Sequence, residues 1–401
     1  MADTAETLRA RTEPSAALDA DALVTWAERE SGAFGLTDAG LRGRVGAMID
    51  WINERGPYSP YQIEGMKRQI HKLLVNRLLV ALDRKRFPGI AEEKIEQPIF
   101  IIGFARSGTT FLHSLMAEDP DAMALRSWNV LTPSPPPGAG PVSSGRMAYA
   151  QRAMEDWMDF CPAQRPMHPY IDKGAMQMCE DEEVLTLDFR YAYPYYLFNV
   201  PTLEGVVLGN DQDDAFAFHR EMLQHLQWNT GKTSWVCKSP AAQHHLDAIF
   251  KAYPDARCIW AHRPMTEMFA SLVSLSNVLF DTVAGGAKDR ADWARNLALG
   301  LKAAYDRLLT NELIDDPRIL HIGSREVSSG PMAAIEKIYQ WIGRPVTAAF
   351  ASRVAAWLED PDNRVDRYGR YPYSYEALGI EESWIAELFS DYAKRFGLPR
   401  A

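Results

Sequence analysis

The stretch that decides the fold runs from Ile99 to Thr110 and reads IFIIGFARSGTT. Its first four residues form a short, continuous apolar run, which is typical of a parallel strand buried on both faces. A loop bounded by Gly103 and Gly108 follows, and apolar residues then recur at helical spacing from Thr110 to Ala117. The stretch therefore predicts a strand, a tight loop and a helix in succession.

The same succession of strand and helix recurs further along the chain. Trp235–Cys237 and Arg257–Ala261 are short apolar runs, and a further strand is expected at Arg318–Ile322. Before about residue 95, apolar side chains recur at helical spacing. Strands that alternate with helices predict an α/β fold with a P-loop-like, doubly wound parallel sheet flanked by helices. We also expect a helical N-terminal extension and helical insertions.

Composition excludes several classes of function. The chain has 401 residues and a net charge of −10, which disfavours a general DNA or RNA binder and docking to anionic lipid. Net charge averages over the surface, so a local basic pocket for a small anion stays possible. The four cysteines show no regular spacing, which argues against a disulfide framework or a zinc site. No segment resembles a signal peptide or a membrane span, so we expect a soluble, cytoplasmic protein.

The loop after the first strand has the frame of a P-loop, G-x-x-x-x-G, in the required setting between strand and helix. Backbone N–H groups in such a loop converge on phosphate oxygens. However, Thr109 stands where an ATP-type loop has lysine, and Arg106 lies inside the loop instead. The later strand ends in His262-Arg263, without the aspartate that helps to hold magnesium in an NTPase. The loop therefore suits a phosphate-like group but lacks the usual parts for metal-assisted phosphoryl transfer.

Together these motifs resemble the sulfotransferase superfamily, whose members use 3′-phosphoadenosine 5′-phosphosulfate (PAPS). Arg106–Thr110 (RSGTT) resembles the 5′-phosphosulfate loop, and His262–Pro264 with Ser271 resembles the 3′-phosphate motif. Trp235–Pro240 (WVCKSP) and Gly369–Ser374 (GRYPYS) are similar to segments of a bacterial sulfotransferase group. The resemblance covers most of the chain.

The resemblance implies a role for each matching residue. Those implied to bind the co-substrate are Arg106, Ser107, Gly108, Thr109 and Thr110 at the 5′-phosphosulfate, Phe111 at the adenine, Arg263 and Ser271 at the 3′-phosphate, and Arg370 in a basic position of the terminal motif. Arg106 would also neutralise charge on the leaving phosphate, and Lys238 stands where related enzymes place a catalytic lysine. No metal is expected, because cations and N–H donors can stabilise the leaving group.

The sequence leaves the general base open. The positions at which relatives carry a glutamate or histidine are Asn129, Pro240 and Ala242 here. The remaining candidates are His168 and Glu180, which we rank first, then Glu182, Glu183, His244, His245 and His113. A solvated helix start also explains the acidic run 180–183, and a satisfied helix histidine explains His113. Aromatic residues of the segment 191–198 could line an acceptor pocket or pack in the interior.

The sequence thus predicts a sulfotransferase that moves a sulfuryl group from PAPS to a hydroxyl, or less favourably an amine, of a small molecule. 3′-Phosphoadenosine 5′-phosphate (PAP) would be the product. We expect the extension over residues 1–95 to pack on an α/β domain over 96–401, with a helical, acceptor-binding insertion at about 131–230. The alternatives are a P-loop nucleotide kinase or NTPase, and a nucleotide-binding relative with lost or altered chemistry. The acceptor and the oligomeric state are left open.

Overall fold

The structure, a computed structural model, describes residues 17–54, 58–168, 170, 172–190, 212–240, 242–284, 290–369 and 371–399. Its strands are β1 Ile99–Ile102, β2 Ala122–Met123, β3 Ser234–Ser239, β4 Arg257–His262 and β5 Ile319–Gly323. They form one sheet in the order β2-β3-β1-β4-β5, and each neighbouring pair is parallel. In the register of the central strand, Ile99 lies opposite Val236 on one side and Arg257 on the other.

Helices precede, separate and follow the strands in the described chain. In chain order they are α1 Ala20–Ser31, α2 Ala39–Glu54, α3 Pro60–Arg86, α4 Thr109–Met116, α5 Ser127–Leu131, α6 Ser144–Phe160, α7 Asp181–Leu187, α8 Gln212–Gln227, α9 Leu246–Ala252, α10 Met265–Ala284, α11 Arg290–Leu309, α12 Ser324–Ser329, α13 Pro331–Ile342, α14 Ala348–Glu359, α15 Tyr375–Leu378, α16 Glu382–Leu388 and α17 Ser390–Arg395. None of the described helices is both long enough and apolar enough to cross a lipid bilayer.

Both faces of the sheet are covered, as its apolar strands require. Phe100 and Ile102 of β1 point into one hydrophobic cluster, whereas Ile99 and Ile101 point into the other. This alternation follows from the two-residue period of a strand, and helices must bury both sets of side chains. The predicted doubly wound α/β fold is therefore confirmed.

The N-terminal helices α1–α3 share the larger cluster. Leu41, Ile49 and Leu74 are buried in it together with Phe100 and Trp260 of the sheet. The predicted helical N-terminal region is present, and its apolar faces pack into the interior.

The sequence located most strands correctly but missed details. The strand β2 was not predicted, because two residues are too few to show a period. After β3 the chain forms a 3₁₀ turn, Ala242–His244, and then α9. The acidic run 180–183 lies at the start of α7, whose first residue is Asp181.

Candidate active site

The motif residues lie at one end of the sheet, the end formed by the carboxyl termini of the parallel strands. β1 runs into residues 103–108, which we call the phosphate loop. β3 carries Lys238 and Ser239 at its end, and β4 ends at His262, directly before Arg263. The fold therefore brings three segments that are far apart in sequence to the same end of the sheet.

The backbone of the phosphate loop depends on glycine at its first position. Gly103 has a φ of 133°, and a Cβ atom there would lie 2.5 Å from the carbonyl oxygen of Ala261. At its far end Gly108 has a φ of 90° and directly precedes α4. Ser107 is buried, and its hydroxyl has no hydrogen-bond partner among the described residues. The loop thus presents a helix N-terminus and an unused hydroxyl, a combination that suits an anion.

Arg106 joins the two predicted nucleotide motifs. Its Nε donates to the hydroxyl of Ser271 at 2.8 Å, and its Nη2 donates to the carbonyl of Met167 and, at 3.3 Å, to the hydroxyl of Tyr373. Arg263 donates from Nη1 to the backbone carbonyl of Arg106 at 3.1 Å. The residues predicted for the 5′ and 3′ groups therefore form one connected network.

Arg263 shares a carboxylate with an arginine for which the sequence suggested no role. Its Nε donates to Glu267 at 2.8 Å, and Arg325 donates to the other oxygen of Glu267 at 2.7 Å. Partial burial acts to raise the pKa of Glu267, but hydrogen bonds and charge from the two guanidinium groups outweigh it and lower the pKa. Spacing of four residues could have suggested the Arg263–Glu267 pair; Arg325 comes from a different element and gave no local signal.

Lys238 links the phosphate loop helix to the acidic segment. Its ammonium donates to the hydroxyl of Thr110 at 2.9 Å and forms an ion pair with Glu180. The Lys238 side chain is 4% exposed, whereas that of Glu180 is 36% exposed. A buried cation thus lies beside the start of α4, just after the phosphate loop, and the Glu180 carboxylate beside it retains access from solvent.

Most of the acidic run after Glu180 is buried, which corrects the interpretation of this run as a solvated helix start. Asp181 and Glu182 are buried, and Glu182 accepts a hydrogen bond from Ser239 at 2.6 Å. Burial and the charge of Glu180 raise the pKa of Glu183 to about 7 and that of Glu182 well above its ordinary value. Glu182 and Glu183 therefore bind their protons more tightly than glutamates at a solvated helix start do.

His168 lies near both cations of the site. Burial, and then the charges of Arg106 and Lys238, lower the pKa of His168 to about 3. Its Nδ1 atom is shielded from solvent and has no hydrogen-bond partner among the described residues. The ring is therefore neutral at pH 7 and offers an unused nitrogen beside the phosphate loop.

Asn129 and two of the histidine candidates have structural partners. The amide oxygen of Asn129 accepts the backbone N–H of Arg126 at 2.8 Å, which caps α5. His113 is buried with its Nε2 3.3 Å from the carbonyl of Val236, and burial lowers its pKa to about 3. His244 packs edge-on against a buried tyrosine, and burial lowers its pKa to about 4.

Phe111, predicted to contact adenine, belongs to an aromatic cluster. Its ring lies 5.7 Å from that of Trp357, and Tyr170 lies 5.6 Å from the same tryptophan. The sequence gave Trp357 no role, because a tryptophan in an amphipathic helix such as α14 reads as a packing residue. Two aromatic rings thus accompany Phe111 at the start of α4.

Some predicted residues fall outside the described part of the chain. Arg370 is one of them, and the candidate acceptor-pocket aromatics are the others: Tyr191, Tyr193, Tyr195, Tyr196 and Phe198.

Comparison with known proteins identifies the family. A family model described as "Sulfotransferase family" matches residues 98–348, more than half of the chain, so the chain belongs to the sulfotransferase family. No curated protein gives a significant sequence match.

Solved structures agree with this assignment at the level of fold. Sulfotransferase STF9 from Mycobacterium avium is similar with a TM-score of 0.81 and 23% identity, covering 97% of this chain and 98% of that chain. Sulfotransferase STF1 from Mycobacterium tuberculosis H37Rv is similar with a TM-score of 0.77 and 21% identity, covering 94% of this chain and 99% of that chain. The likeness spans nearly the full length of all three chains, including the helical N-terminal region.

Proposed function

We propose that the protein transfers the sulfuryl group of PAPS to a hydroxyl group of a small molecule, with an amine as the lesser alternative. One observation carries the proposal: the hydrogen bond from Arg106 to Ser271 joins a phosphate loop without an NTPase lysine to a second anion motif. A ligand with phosphates at both its 5′ and 3′ positions matches two linked anion sites. Family membership supports the sulfuryl group as the cargo.

The donor would lie along the carboxyl edge of the sheet. The residues proposed to hold its 5′-phosphosulfate are Arg106, Ser107, Gly108, Thr109 and Thr110, with Arg263 and Ser271 at the 3′-phosphate. Arg370 is proposed as a further basic residue toward the nucleotide. Phe111, with its neighbour Trp357, would contact the adenine. The cations Arg106, Lys238 and Arg263 lie there although the whole chain carries −10, and they suit a polyanionic ligand.

In the transfer step, the bond between the sulfur and the bridging phosphate oxygen breaks, and a bond forms between the sulfur and the acceptor oxygen. Negative charge builds on the leaving phosphate, and Lys238 and Arg106 are fixed cations that would stabilise it. Lys238 is oriented beforehand by Thr110 and Glu180, so little reorganisation is needed during the reaction.

The acceptor must lose a proton, and we propose Glu180 as the general base. Its carboxylate is partly exposed and contacts Lys238, so an acceptor that reaches the sulfuryl group also comes within reach of Glu180. His168 is the weaker base, because its pKa is lowered to about 3. We assign His168 a hydrogen-bonding role toward the bound sulfuryl or acceptor group.

This reaction requires no metal among its own steps, and we place it in the cytoplasm. All four cysteines are free and buried, which fits a reducing compartment. The acceptor class that we propose is a hydroxylated small molecule.

Isothermal titration with PAP and with ATP plus magnesium tests the donor assignment. We expect PAP to bind at least about tenfold more tightly, since only PAP offers a 3′-phosphate to Arg263. Tighter binding of ATP would contradict the assignment and favour a kinase or NTPase.

A further inference from the structure

A buried polar cluster, formed by Asp181, His219 and Tyr253, adjoins the proposed catalytic residues and takes no part in the mechanism above. Asp181 is 1% exposed and His219, from α8, is 0% exposed. The Nε2 atom of His219 lies 3.5 Å from an oxygen of Asp181, and its Nδ1 lies 2.8 Å from the hydroxyl of Tyr253. The ring of Phe100 is 5.8 Å from the His219 ring. An ionisable pair has thus been placed against the hydrophobic core.

Such a placement is costly, because charged and polar groups lose their water on burial. Burial raises the pKa of Asp181, and the His219 ring and the backbone N–H of Lys238 counteract that rise. Within the described chain, neither oxygen of Asp181 makes a hydrogen bond of standard geometry. Hydrophobic residues of similar volume would pack here at lower cost, so the cluster needs another explanation.

The position of the cluster supplies one. Asp181 directly follows Glu180, and the backbone N–H of Lys238 faces its carboxylate. One residue further along both segments, the Ser239 hydroxyl donates to Glu182. Successive residues at the start of α7 therefore contact successive residues at the end of β3. Among these residues, Glu180 and Lys238 are the two whose side chains reach the proposed site.

We propose that Asp181 and His219 are positioning residues that hold Glu180 and Lys238 in register over Thr110. Tyr253 fixes the ring of His219, His219 fixes the carboxylate of Asp181, and Asp181 sets the distance between the start of α7 and Lys238. This inference rests on the proposed function, and the pair acts through Glu180 and Lys238 without touching the donor or the acceptor.

A metal ion is the competing explanation for the same atoms. Three possible ligand atoms lie within 4.8 Å of one another, one from each of Asp181, His219 and Cys237. This combination of oxygen, nitrogen and sulfur donors also suits zinc. Direct contacts account for the pair without an ion: the His219 Nε2 faces an oxygen of Asp181 at 3.5 Å, and its Nδ1 lies within hydrogen-bond distance of the Tyr253 hydroxyl. Our proposal commits to a metal-free pair, and elemental analysis distinguishes it from a metal site.

The test compares three variants in α8. His219→Leu removes both polar contacts, whereas His219→Gln keeps an N–H group toward Asp181. His225→Leu is the matched control, because His225 is equally buried on the same helix and contacts the carbonyl of Pro133 instead. Each variant is measured for kcat, for KM of PAPS, for PAP affinity and for thermal stability, and His219→Leu is crystallised.

We expect His219→Leu to lose at least about 100-fold in kcat, as misplaced reacting groups do, with KM for PAPS changed less than about threefold. His219→Gln should recover most of kcat, and His225→Leu should keep it even where its melting temperature falls. In crystals of His219→Leu, the ion pair of Lys238 with Glu180 should be separated.

An unchanged ion pair in those crystals, or equal losses of kcat in His219→Leu and His225→Leu, would overturn the proposal. One equivalent of zinc in the purified wild type, lost in His219→Leu, would also overturn it. If the wild type transfers no sulfuryl group, the proposed function fails, while the crystal of His219→Leu still decides the positioning role.

Discussion

At the scale of single residues, Arg106 connects most of the site. Its guanidinium contacts Ser271, the Met167 carbonyl and Tyr373, and its own carbonyl accepts from Arg263. Its backbone has a φ of 76°, a left-handed conformation that costs a non-glycine residue free energy. The surrounding hydrogen bonds offset that cost and hold the strained residue against Ser271.

The assignment of Arg263 to the 3′-phosphate gives a prediction at this scale. Arg263→Ala should weaken PAP binding about 10- to 100-fold, because it removes charge-assisted hydrogen bonds that contribute about 1.5–3 kcal/mol. Binding of adenosine 5′-phosphate, which lacks the 3′ group, should hardly change. Titration calorimetry with both ligands measures the difference, with Arg295→Ala as an exposed arginine control. Equal weakening of both ligands would refute the assignment.

At the scale of elements, the phosphate loop fits against the end of β4. The close approach of Gly103 to the Ala261 carbonyl leaves no room for a side chain, and α4 starts directly after Gly108. The position of the loop and its backbone conformation are thus fixed together by one contact between neighbouring strands.

Gly103→Ala should therefore abolish PAP binding and lower the melting temperature. The new methyl group would meet backbone, which cannot move aside, in a conformation that L-residues rarely adopt. Gly43→Ala is the matched control, since that glycine lies in α2 with open space around it and should gain about 0.5–1 kcal/mol of stability. Differential scanning fluorimetry and PAP titration measure both effects. Normal PAP binding by Gly103→Ala would disprove the tight fit.

Local sequence signals predicted the elements better than they predicted the site. The apolar runs of β1, β3 and β4 and the glycines of the loop are visible in a few residues each. The contact of Arg106 with Ser271 joins positions 165 residues apart, so only a family resemblance suggested it. The burial of Asp181 and its pairing with His219 gave no signal, because acidic residues at a helix start usually face solvent.

At the scale of the whole molecule, the N-terminal helices are tied to the helix that bears the acidic run. The carboxylate of Asp188, just after α7, accepts hydrogen bonds from Arg44 of α2 at 2.5 Å and from Arg77 of α3 and Arg190 at 2.7 Å. The side chain of Asp188 is 2% exposed, and breaking a buried ion pair is strongly destabilising. The extension therefore supports the segment from which Glu180 reaches the site.

Transfer of labelled sulfate from PAPS over a panel of alcohols, phenols and sugars tests the central claim most directly. We predict that the wild type labels at least one hydroxylated acceptor, and that Glu180→Gln lowers kcat about 10²- to 10⁴-fold while still binding PAP. Exposed Glu359→Gln is the control and should match the wild type. Tight PAP binding without any labelled product from the wild type would contradict the account and identify a nucleotide-binding relative with altered chemistry.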